Sequence, residues 1–174
     1  MDPEPSSLTP LFDSTFITGV VGLLVLLICS ALISGAEVAL FSLTQKDLDE
    51  AKESKSKSFE IIIDLLKQPK KLLASILVAN NFINIAIVIL FASLSETLFS
   101  GVHSELDLGF FKIDLVFFIE VILITFLILL IGEILPKVYA NRNNLKFSKF
   151  MAYPLKVLDV VISPISLPMQ KVTL

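Results

Sequence analysis

Three apolar segments of the sequence contain a small set of oxygen-bearing side chains, together with neighbouring residues that distort helices. These residues are the candidates for a chemical role. They are Ser30, Ser34 and Glu37 in the first segment, Asn80, Asn81 and Asn84 in the second, and Gly132, Glu133, Pro136 and Lys137 in the third. A carboxamide buried without a partner costs roughly 2–7 kcal/mol. A carboxylate inside a membrane costs at least about 2.5 kcal/mol. Such side chains therefore need partners or a ligand.

The donor atoms of this set are hydroxyl, carboxamide and carboxylate oxygens, a combination that suits hard cations such as Mg²⁺ and Na⁺. Soft metals are disfavoured, because the single histidine, His103, lies in a loop and the single cysteine, Cys29, has no second thiolate beside it. The sequence has no nucleophile–base pair, no glycine-rich phosphate cradle and no basic stripe with interleaved aromatic residues. We therefore expect neither an enzyme nor a protein that binds nucleic acid.

The composition is that of a membrane protein. Of the 174 residues 55% are hydrophobic and 18% are charged, and the mean hydropathy is +0.84. A bilayer core of about 30 Å requires about 20 mostly apolar residues in a helix. Roughly Phe16–Leu43, Leu72–Leu94 and Leu115–Leu135 satisfy this requirement. The predicted fold class is an all-α membrane protein with three transmembrane helices.

The distribution of basic residues predicts the orientation of the spans. Seven lysines fall in residues 44–71 and six basic residues follow Leu135, whereas the 95–114 connection has one. Basic residues mark the cytoplasmic side, so we expect the N-terminus outside and the C-terminus inside. Residues 1–13 contain three acids and no basic residue, which disfavours a cleaved signal peptide.

The predicted orientation brings the polar groups of all three spans to similar depths. Ser34 and Glu37 fall in the inner half of the first span, and Glu133 lies near the inner end of the third. Asn80 lies about 12 Å along the second span from its inner end. These groups can therefore form one site. The alternative for the asparagines is a contact between helices, where amide hydrogen bonds contribute roughly 0.6–2 kcal/mol.

The segments outside the spans are expected to be helical as well. In residues 44–71 Thr44 can cap a helix, and Phe59, Ile62, Ile63 and Leu66 recur at helical spacing, which predicts one or two short helices against the inner face of the membrane. Residues 143–174 predict a kinked, juxtamembrane amphipathic helix whose basic residues face anionic membrane lipid. The resulting division is a tail (1–13), a three-span domain (14–142) and a juxtamembrane segment (143–174).

The stretches SGAEVALFSL, LVANNFINIAI and IGEILPKVYA together resemble the transmembrane domain of the CNNM/CorC family of magnesium transporters, over roughly residues 14–145. The resemblance implies a homodimer in the bacterial inner (cytoplasmic) membrane that exports Mg²⁺, coupled in prokaryotic members to Na⁺ influx. Family members usually continue into a cytoplasmic CBS-domain pair that binds ATP. That pair is absent from this sequence, so we expect no ATP site here and a longer natural protein.

The same resemblance implies the ion-binding residues. The family's site falls on Ser34, Asn80, Asn84 and the carbonyl of Gly132, with Glu133 or Glu37 supplying negative charge. Additional ion-pathway candidates are Ser30, Asn81, Pro136 and Lys137. The family pattern S-G-S-E is Ser34-Gly35-Ala36-Glu37 in this chain, which removes one hydroxyl.

Two interpretations remain open at this point. The first is a Na⁺-coupled Mg²⁺ transporter. The second is a membrane scaffold or sensor that does not transport and holds at most a structural cation. Glu120, in the outer part of the third span, either extends to the interface or attracts cations to an outer vestibule.

Overall fold

The structure is a computed structural model that describes residues 14–53, 56–98, 105–107 and 112–172. In chain order the elements are α1 (Ser14–Phe41), α2 (Gln45–Glu53), α3 (Lys57–Leu66), α4 (Pro69–Leu98), β1 (Glu105–Asp107), β2 (Lys112–Asp114), α5 (Leu115–Leu127), a π-helical segment (Ile128–Ile134), α6 (Leu135–Arg142) and α7 (Asn144–Val172). Within these ranges, three helices are long and apolar enough to cross a membrane: Ser14–Phe41, Pro69–Leu98 and Leu115–Arg142. The predicted three-span, all-α membrane architecture is therefore confirmed. We call the end of the bundle that carries α2 and α3 its inner end.

The first two spans approach each other closely at the end opposite α2 and α3. A Cβ added to Gly19 would lie 2.7 Å from the Leu94 side chain, and one added to Gly22 would lie 3.3 Å from Leu90. Small residues at a contact between helices allow two transmembrane helices to approach closely. This contact and the apolar cluster of Leu27, Ile87, Ile124 and Ile128 hold the outer and middle parts of the spans together.

The third span is one continuous helix that widens in the middle. Gly132 and Pro136 suggest a broken backbone ladder, but the structure instead places a π-helical segment between α5 and α6. Pro136 lies in the first turn of α6, where its missing N–H and its ring would disturb a regular α-helix. A π-helical turn displaces the hydrogen bonds by one residue, so the helix absorbs the proline without stopping.

The loop between the first two spans forms two helices, as predicted. The hydroxyl of Thr44 accepts from the N–H of Asp47 at 3.3 Å, and the Asp47 carboxylate accepts from the N–H of Thr44 at 2.8 Å, which is a reciprocal cap. On α3 the buried residues are Phe59, Ile62 and Leu65, and Ile62 lies at the centre of this face because it is fully buried. The predicted face residues Ile63 and Leu66 are half-buried, and Leu65 is buried in addition.

The juxtamembrane segment is a single continuous helix, α7, with one face buried in the protein. Met151, Ala152 and Leu155 join a cluster formed by the inner halves of α1 and α4 and by α3. The exposed residues include Phe150 and Tyr153, together with Val157, Val160 and Val161. The amphipathic character expected from the sequence is confirmed, although protein covers one face of the helix.

A short hairpin that the sequence did not predict connects the second and third spans. Strands β1 and β2 are antiparallel, and Leu106 pairs with Ile113. At the end of the hairpin the Asp114 carboxylate accepts from the N–H of Val116 at 2.9 Å and caps α5. His103 lies outside the described residues.

Candidate functional site

A serine of the first span is the centre of the polar contacts between the spans. The hydroxyl of Ser30 lies 2.9 Å from Oδ1 of Asn84 and 3.2 Å from Oδ1 of Asn80. Ser30 is fully buried, and both asparagines are partly buried. The two amide oxygens thus converge on one hydroxyl. Because that hydroxyl has one proton, it can donate to only one of the two oxygens at a time.

The same contacts continue to the third span. Nδ2 of Asn84 donates to Oε1 of Glu133 at 3.3 Å, so hydroxyl, amide and carboxylate form one chain of contacts. We call these four residues, Ser30, Asn80, Asn84 and Glu133, the polar cluster. It joins α1, α4 and the π-helical segment. The comparison of depths predicted a meeting of the three spans with Ser34 and Glu37 as the groups of the first span, but in the structure Ser30 makes the contact.

Gly132 permits this approach. A Cβ on Gly132 would lie 3.0 Å from the Ser30 hydroxyl, so any side chain at this position would displace that hydroxyl. In a regular helix its carbonyl would accept from the N–H four residues later, but that residue is Pro136, which has none. Gly132 therefore supplies both space and a carbonyl that lacks its usual α-helical donor.

Ser34, the residue that the resemblance places among the ion ligands, is buried separately. It is 1% exposed, and its hydroxyl has no hydrogen-bond partner within the described part of the chain. A buried hydroxyl without a partner costs about 1–3 kcal/mol. Ser34 lies one turn from Ser30 toward the inner end of α1, and no hydrogen bond joins it to the polar cluster.

Three of the remaining candidates also lie apart from the polar cluster. Glu37 and Lys137 form an ion pair at 3.5 Å, and their side chains are 37% and 39% exposed. This pair connects α1 to α6 at the inner end of the bundle. Asn81 is exposed. Although Ser30, Ser34 and Glu37 share a face of α1, they have three different environments.

Glu120 belongs to another contact. The hydroxyl of Ser95, which is buried, donates to Oε1 of Glu120 and links α4 to α5. This contact lies at the outer end of the bundle, thirteen residues before Glu133 on the same continuous helix, or about 20 Å along its axis.

The donor atoms of the polar cluster are all hard ligands. Neither histidine nor thiolate belongs to it, and the described residues contain no group of three or more His, Cys, Asp or Glu side chains that could hold a metal. A cation would therefore depend on neutral oxygens and a single nearby carboxylate. Mg²⁺ fits such a set when it keeps some of its waters, because it dehydrates reluctantly.

Comparison with known proteins identifies the family. A curated relative from Haemophilus influenzae, named "UPF0053 protein", is 29% identical over 143 residues, which are 82% of this chain and 31% of the relative. The chain thus spans about a third of that relative. The family model "CNNM: Cyclin M transmembrane N-terminal domain" matches residues 21–174. On this match, the chain belongs to the CNNM family and comprises its membrane-spanning domain.

Proposed function

We propose that this chain is the membrane domain of a Mg²⁺ transporter, and that Mg²⁺ passes through the polar cluster on its way out of the cytosol in exchange for Na⁺. The observation that carries the proposal is the contact chain from Ser30 through Asn84 to Glu133. It brings hydroxyl, amide and carboxylate oxygens from three spans to one place. Membership of the CNNM family supports the same conclusion.

Binding of the cation would exchange hydrogen bonds for oxygen ligands. The carbonyl oxygens of Asn80 and Asn84 both lie within hydrogen-bond distance of the Ser30 hydroxyl. A cation bound between these oxygens would take the place of the hydroxyl proton. The Ser30 hydroxyl then turns its proton away and offers a lone pair. Glu133 supplies the negative charge, and the Gly132 carbonyl and Ser34 are the next available ligands.

The ion pair of Glu37 and Lys137 lies on the route that we propose from the cytosol. Its side chains are about two-fifths exposed at the inner end of the bundle, where we propose that water and ions enter. Glu37 can attract a cation only when its ion pair with Lys137 is broken. The pair therefore controls the entry of cations at the inner end. This assignment places α2, α3 and α7 on the cytoplasmic side and residues 1–13 outside.

The working unit that we propose is a homodimer in the bacterial inner membrane. The spans expose large apolar side chains such as Phe82, Ile89, Phe117 and Phe126, which membrane lipid or a second copy would cover. A cytoplasmic CBS-domain pair of the longer protein would supply the ATP response.

Flux measurements test the proposal. The chain is reconstituted in proteoliposomes, and Mg²⁺ movement is recorded with and without an opposing Na⁺ gradient. We expect flux that depends on the gradient, that is lost in Glu133→Gln and that is retained in Glu120→Gln. Glu120 is the matched control, because it is a carboxylate of the same continuous helix that contacts Ser95 instead of the polar cluster. Equal flux in both variants would remove the polar cluster from the pathway.

A second candidate function has an observation of its own. The amide and hydroxyl groups of the polar cluster already hydrogen-bond one another, as they would in a purely structural contact between helices. In that case the chain is a scaffold or sensor. It would carry no Mg²⁺ flux, and Mg²⁺ would raise its unfolding temperature at most slightly.

A further inference from the structure

The backbone of Gly35 lies where three helices meet. A Cβ on this residue would lie 2.8 and 3.1 Å from two ring carbons of Phe147 and 3.4 Å from the carbonyl oxygen of Pro136. Phe147 belongs to α7 and Pro136 to α6, so both helices press on α1 at this point. Glycine is the one residue that leaves room for the ring.

Aromatic contacts hold the Phe147 ring in this position. It packs edge-on against Tyr139 of α6, with ring centroids 6.3 Å apart and an interplanar angle of 69°. On its other side Phe150 packs edge-on at 6.5 Å. Phe147 also packs against the apolar cluster at the inner end of the spans. The ring is therefore a wedge between α1 and α6.

The wedge lies against Gly35, the residue that follows Ser34 in the chain. Ser34 and Gly35 are adjacent in the chain, and both are buried. Ser34 has no hydrogen-bond partner among the described residues and no contact of that kind with the polar cluster. A cation that uses Ser34 must therefore wait until the helices around Gly35 separate.

We propose that Phe147 is a gate residue, whose withdrawal from Gly35 opens access from the inner end of the bundle to Ser34 and the polar cluster. This inference rests on the proposed transport function for its purpose, although the movement itself needs no ion. Phe147 binds no cation, so it is a positioning residue.

Two further contacts show what the gate is attached to. On the N-terminal side of Phe147 in α7, Nδ2 of Asn144 donates to the carbonyl oxygen of Ser42 at 3.1 Å. On the C-terminal side, the Asp159 carboxylate pairs with Lys71 of α4 at 2.7 Å. Thus α7 is fastened to the first span on one side of the ring and to the second span on the other. Withdrawal of Phe147 from Gly35 by a shift of α7 must therefore stretch or break one of these two contacts.

Thiol labelling tests the gate. The full chain carries Cys29→Ser, to remove the native thiol, and Ser34→Cys, to place a reporter beside Gly35. It is reconstituted in proteoliposomes and treated with a small, water-soluble maleimide. We expect slow labelling in this background and labelling at least about tenfold faster when Phe147→Ala is added. The reason is that a packed phenylalanine stabilises the closed arrangement by more than the free energy that corresponds to a tenfold change in the opening equilibrium.

Phe150→Ala is the matched control. Phe150 is an aromatic residue of the same helix that touches the Phe147 ring, but it is 64% exposed and is not among the nearest neighbours of a Cβ on Gly35. We expect its labelling rate to stay within about twofold of the background. Equal rates for the Phe147 and Phe150 variants would overturn the gate. If Phe147→Ala does not yield folded protein, Phe147→Leu and Phe150→Leu are compared in the same way.

Failure of the gate and failure of transport give different results. The labelling rate depends only on opening of the helices, so a chain that carries no Mg²⁺ flux can still show the difference between the two variants. Conversely, normal Mg²⁺ flux in the wild-type chain, together with equal labelling of the variants, would reject the gate and leave the proposed transport function intact.

Discussion

Lys71 of α4 and Asp159 of α7 form an ion pair at 2.7 Å, and each side chain is only 16% exposed. The hydroxyl of Ser75 lies 3.4 Å from the other carboxylate oxygen of Asp159. Ser75 is buried one and a half turns before Asn80 on the same helix. The pair therefore connects the juxtamembrane helix to the span that supplies both amides of the polar cluster.

Removing one partner of this pair is expected to destabilise the protein strongly. Asp159→Asn leaves the ammonium of Lys71 largely buried without a counter-charge, which costs about 3 kcal/mol or more. The measurement is thermal or denaturant unfolding of the purified chain in detergent. The charge exchange K71D/D159K is expected to restore part of the loss, because it re-forms the pair.

A surface pair provides the control for this first prediction. Lys52 and Asp49 form an ion pair at 2.9 Å on α2, but their side chains are 60% and 67% exposed. Exposed pairs contribute little, so Asp49→Asn is expected to change the free energy of unfolding by less than about 1 kcal/mol. Losses of the same size in the two variants would show that burial does not govern the Lys71–Asp159 contact.

Asn84→Ala is expected to abolish Mg²⁺ binding while the chain stays folded. Asn84 contacts Ser30 through its oxygen and Glu133 through its nitrogen, so truncation removes Glu133 from the contact chain and leaves only the contact between Ser30 and Asn80. The loss of an amide hydrogen bond between helices lowers the free energy of unfolding by about 1 kcal/mol, which folded membrane proteins tolerate. The measurement is the rise in unfolding temperature on addition of Mg²⁺.

Asn81 provides the control for this prediction. It is the same residue type on the same helix, but it is exposed. Asn81→Ala should therefore keep the full Mg²⁺-dependent rise in unfolding temperature. A rise that survives in Asn84→Ala would mean that Mg²⁺ stabilises the chain somewhere other than the polar cluster.

Hydropathy and the depth of polar residues predicted the spans and the meeting of α1, α4 and the third span. For the first span they predicted Ser34 and Glu37, whereas the structure brings Ser30 to the amides. Ser30 and Ser34 are one turn apart on one face, so helical spacing does not distinguish them. The choice depends on where the helices come closest, and Gly132 sets that point by admitting the Ser30 hydroxyl.

Other features left no periodic signal in the sequence. The π-helical segment ILLIGEI is mostly apolar, and only Pro136 after it indicates that the helix must adjust. The hairpin strands have three residues each, which is too short for an alternating pattern to be recognised. Phe147 was not singled out, because one phenylalanine in an apolar tail becomes informative only when Gly35 is found beneath it.

The cap of α2 predicts a local dependence on pH. The hydroxyl and N–H of Thr44 hydrogen-bond the Asp47 carboxylate and, with a smaller contribution from Lys46, hold the pKa of that group below its usual value of 3.8. The carboxylate therefore stabilises the start of α2 at every pH above that value. The contribution is lost as the pH falls through the lowered pKa of the folded state.

An NMR titration of the α2 amides measures this effect. We expect the helix to loosen at its first turn below the usual pKa of Asp47, and the Thr44→Val variant to loosen already at neutral pH, because it lacks the hydroxyl. Identical titration curves in the wild type and the variant would mean that the side chain of Thr44 does not shift the pKa of Asp47.

Gly132→Ala is expected to abolish transport with only a small effect on folding. The added Cβ would lie 3.0 Å from the Ser30 hydroxyl, so Ser30 must move away from the two amide oxygens that it now contacts. Alanine also favours helix over glycine by about 1 kcal/mol, which offsets part of the crowding. The measurement is Mg²⁺ flux in proteoliposomes beside the unfolding temperature. Gly22→Ala is the control, since its Cβ meets only the flexible end of Leu90 at 3.3 Å, remote from the polar cluster, and its flux should be unchanged. Full flux in Gly132→Ala would show that the close contact between Gly132 and Ser30 is not needed to hold the ion.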